Sequence, residues 1–229
     1  MSSTAKVDRE AKALLSFRRD TAEHQLEVLR DDGVYRHLRF RKPGTSCYGF
    51  DIVTWPGHLA ITGDMGDSMF SRLPDMFEFF RDDRKRAETD SLCISSAYWA
   101  EKCVANDGDK KEFRSELLEA LVKEHFDEFV AAHRDDPDDG KEETDPAWAA
   151  ELWSELESEL LFTAEDGVDS AIGSLMNFEP DSDQPYAQFR FTDAWEYASS
   201  LEDYTFHFLW RLYAIAHAVK AYDAQQVQA

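Results

Sequence analysis

Residues 35–41 read YRHLRFR, and they open the stretch of sequence that decides the fold. Apolar and polar side chains alternate there, so Leu38 and Phe40 share one face and Arg39 and Arg41 the other, as in a half-buried strand. The run CYGFDIVTW at 47–55 is aromatic and β-branched and predicts a second strand. Pro-Gly pairs follow both runs, and shorter runs at 58–62 and 68–72 continue the pattern. The segment therefore predicts an antiparallel meander with short connections.

The remainder of the chain has the apolar spacing of helices. Residues 5–31 predict a first helix that ends at an Asp-Asp-Gly turn, and Pro74 marks the start of a short second helix. The clearest helical spacing lies at 110–134, and Pro146 begins another helix. The segment 193–222 is apolar almost all round, which is typical of a helix buried at the centre of a fold.

This order of elements predicts an α+β protein. We expect a small N-terminal antiparallel sheet of three or four strands, followed by a helical bulk with a buried C-terminal helix. A single domain over residues 1–229 is favoured; the alternative is a division into 1–90, which holds the first helix and the sheet, and 91–229, the acidic helical part. Two minor elements complete the prediction, a short helix at 166–178 and a strand at 187–191.

The charge of the chain is concentrated in one region. The 229 residues include 25 Lys+Arg and 47 Asp+Glu, a formal net charge of −22, and residues 91–190 alone account for −18. Such a region repels nucleic-acid phosphates, so direct nucleic-acid binding is not expected. Three explanations stay open: solubility, attraction to a basic protein partner, and imitation of nucleic acid in a basic groove. Because residues 1–42 carry +3, homo-oligomers are open as well.

Motifs of known chemistry are missing from the sequence. It contains no nucleotide-binding glycine loop, no GxSxG and no HExxH, so no catalytic residue, metal ligand or cofactor is predicted and the chain is not expected to be an enzyme. No apolar run approaches the length of a membrane span. Three cysteines without CxxC spacing argue against a secreted disulfide scaffold. These features favour a cytoplasmic protein without a membrane partner.

Two turns of the meander form a weak candidate ligand site. Trp55 and His58 flank one turn, and Asp64 and Asp67 lie in the next. If the meander is correct, the turns lie at opposite ends of the third strand, about 15–20 Å apart. One metal could then not bind to both turns unless another element brought them together, and ordinary turn chemistry is the favoured interpretation.

Candidate partner-binding residues lie in the acidic region. Aromatic side chains dominate the binding energy of interfaces, so tryptophans on the helix that begins at Pro146 could anchor a partner, although a core role is favoured for them. Carboxylates of the same helix and of the acidic loop before it would supply the charge. The candidates are Trp148, Trp153, Glu151, Glu155, Asp135, Asp136, Asp138 and Asp139.

Several sequence runs resemble those of a set of uncharacterised bacteriophage and prophage proteins. The most distinctive are WPGH at 55–58, GDMG at 63–66 and MFEFFR at 76–81, and the closing stretch 204–222 is also similar. The resemblance covers about half of the chain and carries no known activity or site residue. It implies a context in which small acidic proteins bind and disable host proteins, including restriction and CRISPR systems.

Charge and resemblance together define the expected function. We expect a phage-type acidic accessory protein in the host cytoplasm that binds a host protein with a basic nucleic-acid-binding surface. It would inhibit that protein, most directly an antiviral defence complex, by surface occlusion or nucleic-acid mimicry. The alternative is an enzyme or a small-ligand or metal-binding protein of unrecognised type that uses the 55–67 segment.

Overall fold

The computed structural model describes residues 3–81, 92–106, 108, 110–134, 145–162 and 167–228. The chain divides into two compact units, the first formed by residues 1–111 with 204–229 and the second by residues 112–203. This division differs from a boundary near residue 90, because the C-terminal segment groups with the N-terminal sheet. The single-domain interpretation stays a prediction.

The first unit contains one six-stranded antiparallel sheet in which each strand pairs with the next along the chain. The predicted meander and the α+β class are confirmed, but three or four strands was too low a count, because the outermost two strands were not predicted. The strands are β1 (Gln25–Asp32), β2 (Tyr35–Arg41), β3 (Phe50–Trp55), β4 (His58–Gly63), β5 (Ser68–Ser71) and β6 (Cys103–Ala105).

The first helix is shorter than its sequence pattern indicates. Helix α1 (Ser3–Asp20) ends where the Thr21 hydroxyl donates a hydrogen bond to the Phe17 carbonyl at 2.7 Å. The chain then turns into β1, in which Leu26 lies opposite Phe40 of β2. The prediction of helix through residue 31 is therefore wrong beyond residue 20, because pairing with β2 overrides the helical spacing of the leucines.

Helix α7 (Phe206–Gln228) is the central element of the first unit and confirms the predicted buried C-terminal helix. It begins at residue 206 rather than 193, because the Thr205 hydroxyl caps it by accepting a hydrogen bond from the Phe208 amide. The apolar face of the sheet and helix α1 pack against it. Its most deeply buried side chains are Phe208, Leu209, Trp210, Arg211, Leu212, Ala214, Ile215 and Ala218.

No helix among the described residues is both long enough and apolar enough to cross a membrane.

Two short helices, α2 (Met76–Phe80) and α3 (Ser96–Ala100), also contact α7. The predicted start of α2 at Pro74 is displaced by two residues, since Asp75 caps the helix by accepting a hydrogen bond from the Phe77 amide.

One buried arginine joins the sheet to α2 and α7. Arg36, only 7% exposed, donates hydrogen bonds to both carboxylate oxygens of Asp75, at 2.9 and 3.0 Å. Its guanidinium lies 4.6 Å from the ring centre of Phe77 and 5.3 Å from that of Tyr222. Burial opposes ionisation of Asp75, but its hydrogen bonds from Arg36 and from the Phe77 amide outweigh burial and lower the pKa of this carboxyl group.

The second unit is helical and has an apolar core of its own. Phe189 and Phe191 belong to that core, 5.2 Å apart, but their backbone is irregular, so the predicted strand at 187–191 is wrong. Its elements, with the strands where the chain enters and leaves it, are β7 (Lys111–Phe113), α4 (Ser115–Ala132), α5 (Ala149–Leu156), a π-helical turn (Glu157–Leu161), α6 (Val168–Asn177), a 3₁₀ helix (Ala194–Ser200) and β8 (Glu202–Tyr204).

Substitution of Asp75 tests the link made by Arg36. Asp75→Asn keeps a side chain able to cap α2 but removes the charge opposite Arg36, and we expect the free energy of unfolding to fall by about 2 kcal/mol. Asp75→Ala removes the cap as well, and we expect a loss of about 3 kcal/mol. Urea denaturation followed by tryptophan fluorescence measures both values.

The control for these variants is Glu101→Gln, which removes an exposed ion pair with Lys102. Exposed pairs contribute little, so its effect should stay below about 0.5 kcal/mol. Equal losses in the Asp75 and Glu101 variants would contradict the assigned role of Arg36.

Candidate functional site

The entire net charge of the chain lies in the second unit. Residues 112–203 contain 27 Asp+Glu and five Lys+Arg, a net charge of −22, whereas the first unit contains 20 of each. The sequence segment 91–190 has a smaller net charge, −18, because it leaves out the four acids of residues 191–203, which belong to the second unit. Residues 91–111 belong to the first unit and have no net charge. The fold therefore divides the chain into a neutral unit that holds the antiparallel sheet and a strongly acidic helical unit.

The carboxylates that the structure describes in this unit lie mostly on its surface. Of the 19 acidic residues described in it, 16 are exposed and three are half-buried. Helix α4 shows the local reason: its apolar residues recur every four positions along a buried stripe, and its acids occupy the remaining faces. Glu124 and Glu128, one turn apart, place two like charges side by side.

Internal ion pairs neutralise only a small part of this charge. Three of the four cations described in the unit pair with its own carboxylates, and the fourth, Arg190, donates hydrogen bonds to backbone carbonyl oxygens. Because five cations cannot neutralise 27 carboxylates, the unit keeps a strong negative field. The pairs are Arg114 with Glu112 and Glu116, Lys123 with Asp127, and Arg134 with Asp145.

The two predicted anchor tryptophans pack against the core of the second unit. Trp148 is half-buried, with its ring 5.7 Å from those of Phe129 and Tyr186. Trp153 lies 5.1 Å from Phe126, and the Lys123 ammonium group sits 5.5 Å from its ring centre. Both side chains are half-buried, and their ring contacts lie within the second unit.

The predicted carboxylates on α5 differ in what they contact. Glu151 is exposed, whereas Glu155 is half-buried and accepts a hydrogen bond from the Tyr186 hydroxyl at 2.7 Å. Burial of Tyr186, with this carboxylate beside it, raises the pKa of Tyr186 to about 12. Glu155 therefore has a structural role, and Glu151 is the carboxylate that a partner could reach. The other four candidates, Asp135, Asp136, Asp138 and Asp139, lie outside the described residues.

One aromatic residue of the second unit is exposed although the sequence predicts it to be buried. Trp195 is 61% exposed, although the apolar run at 193–222 predicted it inside a buried helix. The structure has a 3₁₀ helix at this position, in which Ala194 faces the core and Trp195 faces solvent. Met176 of α6 is equally exposed. Large apolar side chains on an acidic surface are the residue types that anchor interfaces.

The residues of the 55–67 segment do not form one site. His58 stacks on Trp55 with ring centres 5.2 Å apart. Beyond the opposite end of β4, Asp64 accepts a hydrogen bond from the Tyr48 amide and Asp67 accepts one from the Gly63 amide. The prediction that the two turns lie at opposite ends of a strand is confirmed. Within the described ranges no group of three or more His, Cys, Asp or Glu could hold a metal ion.

In comparisons with known proteins, the chain matches no protein-family model, no curated protein and no solved structure. Fold and charge define its class: an α+β protein with a neutral unit built on a meander sheet and a helical unit of net charge −22. The surface of that acidic unit is therefore the candidate interface.

The internal role assigned to Glu155 predicts a specific pH dependence. Because folding raises the pKa of Tyr186 from its ordinary 10.0, its contribution to stability is present below pH 10 and is lost as the pH rises toward 12. We expect Tyr186→Phe to lower the free energy of unfolding by about 1 kcal/mol at neutral pH. The difference from the native chain should shrink above pH 10, as measured by denaturation at each pH.

Substitution of the carboxylate separates the two candidates on α5. Glu155→Gln should lower the pKa of Tyr186, measured by ultraviolet titration of tyrosine, whereas Glu151→Gln on the exposed face should change it much less. An unchanged titration in Glu155→Gln would contradict the internal role.

Proposed function

We propose that this chain is an interaction protein whose acidic unit binds a basic surface of another protein. The observation that carries the proposal is the separation of charge: residues 112–203 hold the whole net charge of −22, and the first unit is neutral. A charge that served solubility alone could be distributed over both units. Concentration in one unit instead creates a directed field that steers association with a positive surface.

The partner that best fits this surface is a protein with a basic nucleic-acid-binding groove. Grooves of that kind present Lys and Arg to phosphates, and exposed carboxylates at helical spacing can occupy the same side chains. The exposed Trp195 and Met176 would supply apolar contacts within the charged surface. Binding would inhibit the partner by occlusion or by nucleic-acid mimicry, and it requires no catalytic group.

The biological context of the proposal comes from the resemblance to bacteriophage and prophage proteins. Within an infected cell, the basic grooves that matter to a phage include those of CRISPR, restriction and similar defence complexes. We therefore propose a host defence complex, acting in the cytoplasm, as the target. The alternative of a ligand or metal site on the 55–67 segment gains no support, because β4 separates His58 from Asp64 and Asp67.

Partner capture with charge-matched variants tests the proposal. The triple variant Glu124→Gln, Glu128→Gln, Glu151→Gln removes three exposed carboxylates from the second unit. We expect it to bind the captured partner about tenfold more weakly, because each exposed charge contact contributes up to about 1 kcal/mol. The tagged chain is used to capture proteins from nuclease-treated bacterial lysate, and the affinity for the identified partner is then measured.

The matched control removes three exposed carboxylates from the neutral unit, as Glu27→Gln, Glu78→Gln and Glu101→Gln. Both triple variants change the net charge from −22 to −19. Only the second-unit variant should lose affinity. Equal losses in the two variants would show that overall charge, and not the surface of residues 112–203, determines binding.

Salt dependence provides a separate test. Screening length falls from about 10 Å at 0.1 M salt to about 3 Å at 1 M, so attraction between exposed charges weakens steeply. We expect the affinity for the captured partner to fall at least tenfold over this range, measured by isothermal titration calorimetry. A constant affinity would exclude binding driven by charge.

A further inference from the structure

A cleft in the neutral first unit has a cationic lining. It has a volume of about 810 Å³ and lies between the end of α1, the turn that follows it, and the last turns of α7. This volume is in the range of small-molecule sites. Its described lining includes Arg18, His24, His217 and Lys220, and it includes no acidic residue.

His24 is the most informative residue of this cleft. Both of its ring nitrogens are buried, and neither has a hydrogen-bond partner among the described residues. A buried imidazole normally donates from one nitrogen and accepts at the other, or donates from both when protonated. Leaving such groups without partners costs free energy, and rotation of the ring toward the cleft would let a ligand that accepts hydrogen bonds pair with them.

His217 contributes a second imidazole to the cleft, in apolar surroundings. Its ring packs on those of Phe17 and Phe40, at 5.5 and 5.4 Å. Burial, with the charges of Lys220 and His24, lowers the pKa of His217. An anion in the cleft would act in the opposite direction and favour the protonated form of His217. Arg18, on the adjacent turn of α1, makes no ion pair with any described residue and could contact the same anion.

We propose that this cleft binds a small phosphate-bearing molecule, with Arg18, His24 and His217 as its phosphate ligands. A phosphate dianion offers several acceptor oxygens, which suits a cleft lined by donors from α1, from α7 and from the turn that follows α1. A metal ion would be repelled by the neighbouring arginine and lysine. The apolar wall, which includes Leu92 and Ala221, would contact the organic part of the ligand. The site does not depend on the acidic unit or on its proposed partner.

Histidine NMR measures this binding directly. Inorganic phosphate and adenosine monophosphate are titrated separately into the full chain, and the side-chain nitrogen signals of His24 and His217 are followed with pH. We expect each probe to shift both signals and to raise the pKa of His217, which burial lowers in the free chain. Tighter binding of the nucleotide would identify an organic phosphate as the ligand, and equal binding would identify phosphate itself.

Variants assign the binding to the named residues. Arg18→Gln, at an exposed position that tolerates substitution, and His24→Gln should each weaken phosphate binding about tenfold. The control is His207→Gln. His207 is exposed on α7, the helix of His217, but lies outside the cleft, so its substitution should leave phosphate binding unchanged. No shift with either probe, or binding that is unchanged in both variants, would overturn the proposal.

Discussion

Helix α7 constrains the whole first unit, because it is apolar on nearly every side and must be covered on every side. The inner face of the sheet covers one side and α1 another, with Phe17 packed edge-on against Trp210 at 5.1 Å. Arg36 then fixes the end of the helix by contacting Tyr222 and Asp75. Because this helix closes the chain but folds with its beginning, residues 112–203 form an insertion into the first unit. That insertion is the segment that carries the charge.

The sequence predicts the elements whose signals are local. It does not predict those that depend on contacts between residues far apart in the chain. Strand β2 was placed at its observed bounds, because alternation and a following Pro-Gly turn are local features. Strand β1 has the sequence pattern of a helix, because Leu26 and Leu29 also fit helical spacing and only pairing with β2 distinguishes the two. The start of α7 was misplaced although Thr205 provided a local capping signal. The exposure of Trp195 follows from the 3₁₀ helix that contains it, which the sequence pattern does not predict.

The candidate site was predicted in its charge but not in its residues. Charge can be counted in a sequence, so the sequence locates the acidic region but not its boundaries, which are those of the second unit. Contacts cannot be counted in this way: Glu155 and Trp148 have internal partners that lie far from them in the sequence. The same limit hid the cationic cleft, since His24 and His217 come from opposite ends of the chain.

Displacement of nucleic acid from the partner is the most direct test of the central claim, that the acidic unit binds where phosphates bind. The captured partner is first saturated with its fluorescently labelled nucleic acid, and the full chain is then added while fluorescence anisotropy is recorded. The account predicts release of the nucleic acid at one equivalent of chain, because both ligands compete for the same cations. A stable ternary complex that retains the nucleic acid would contradict it.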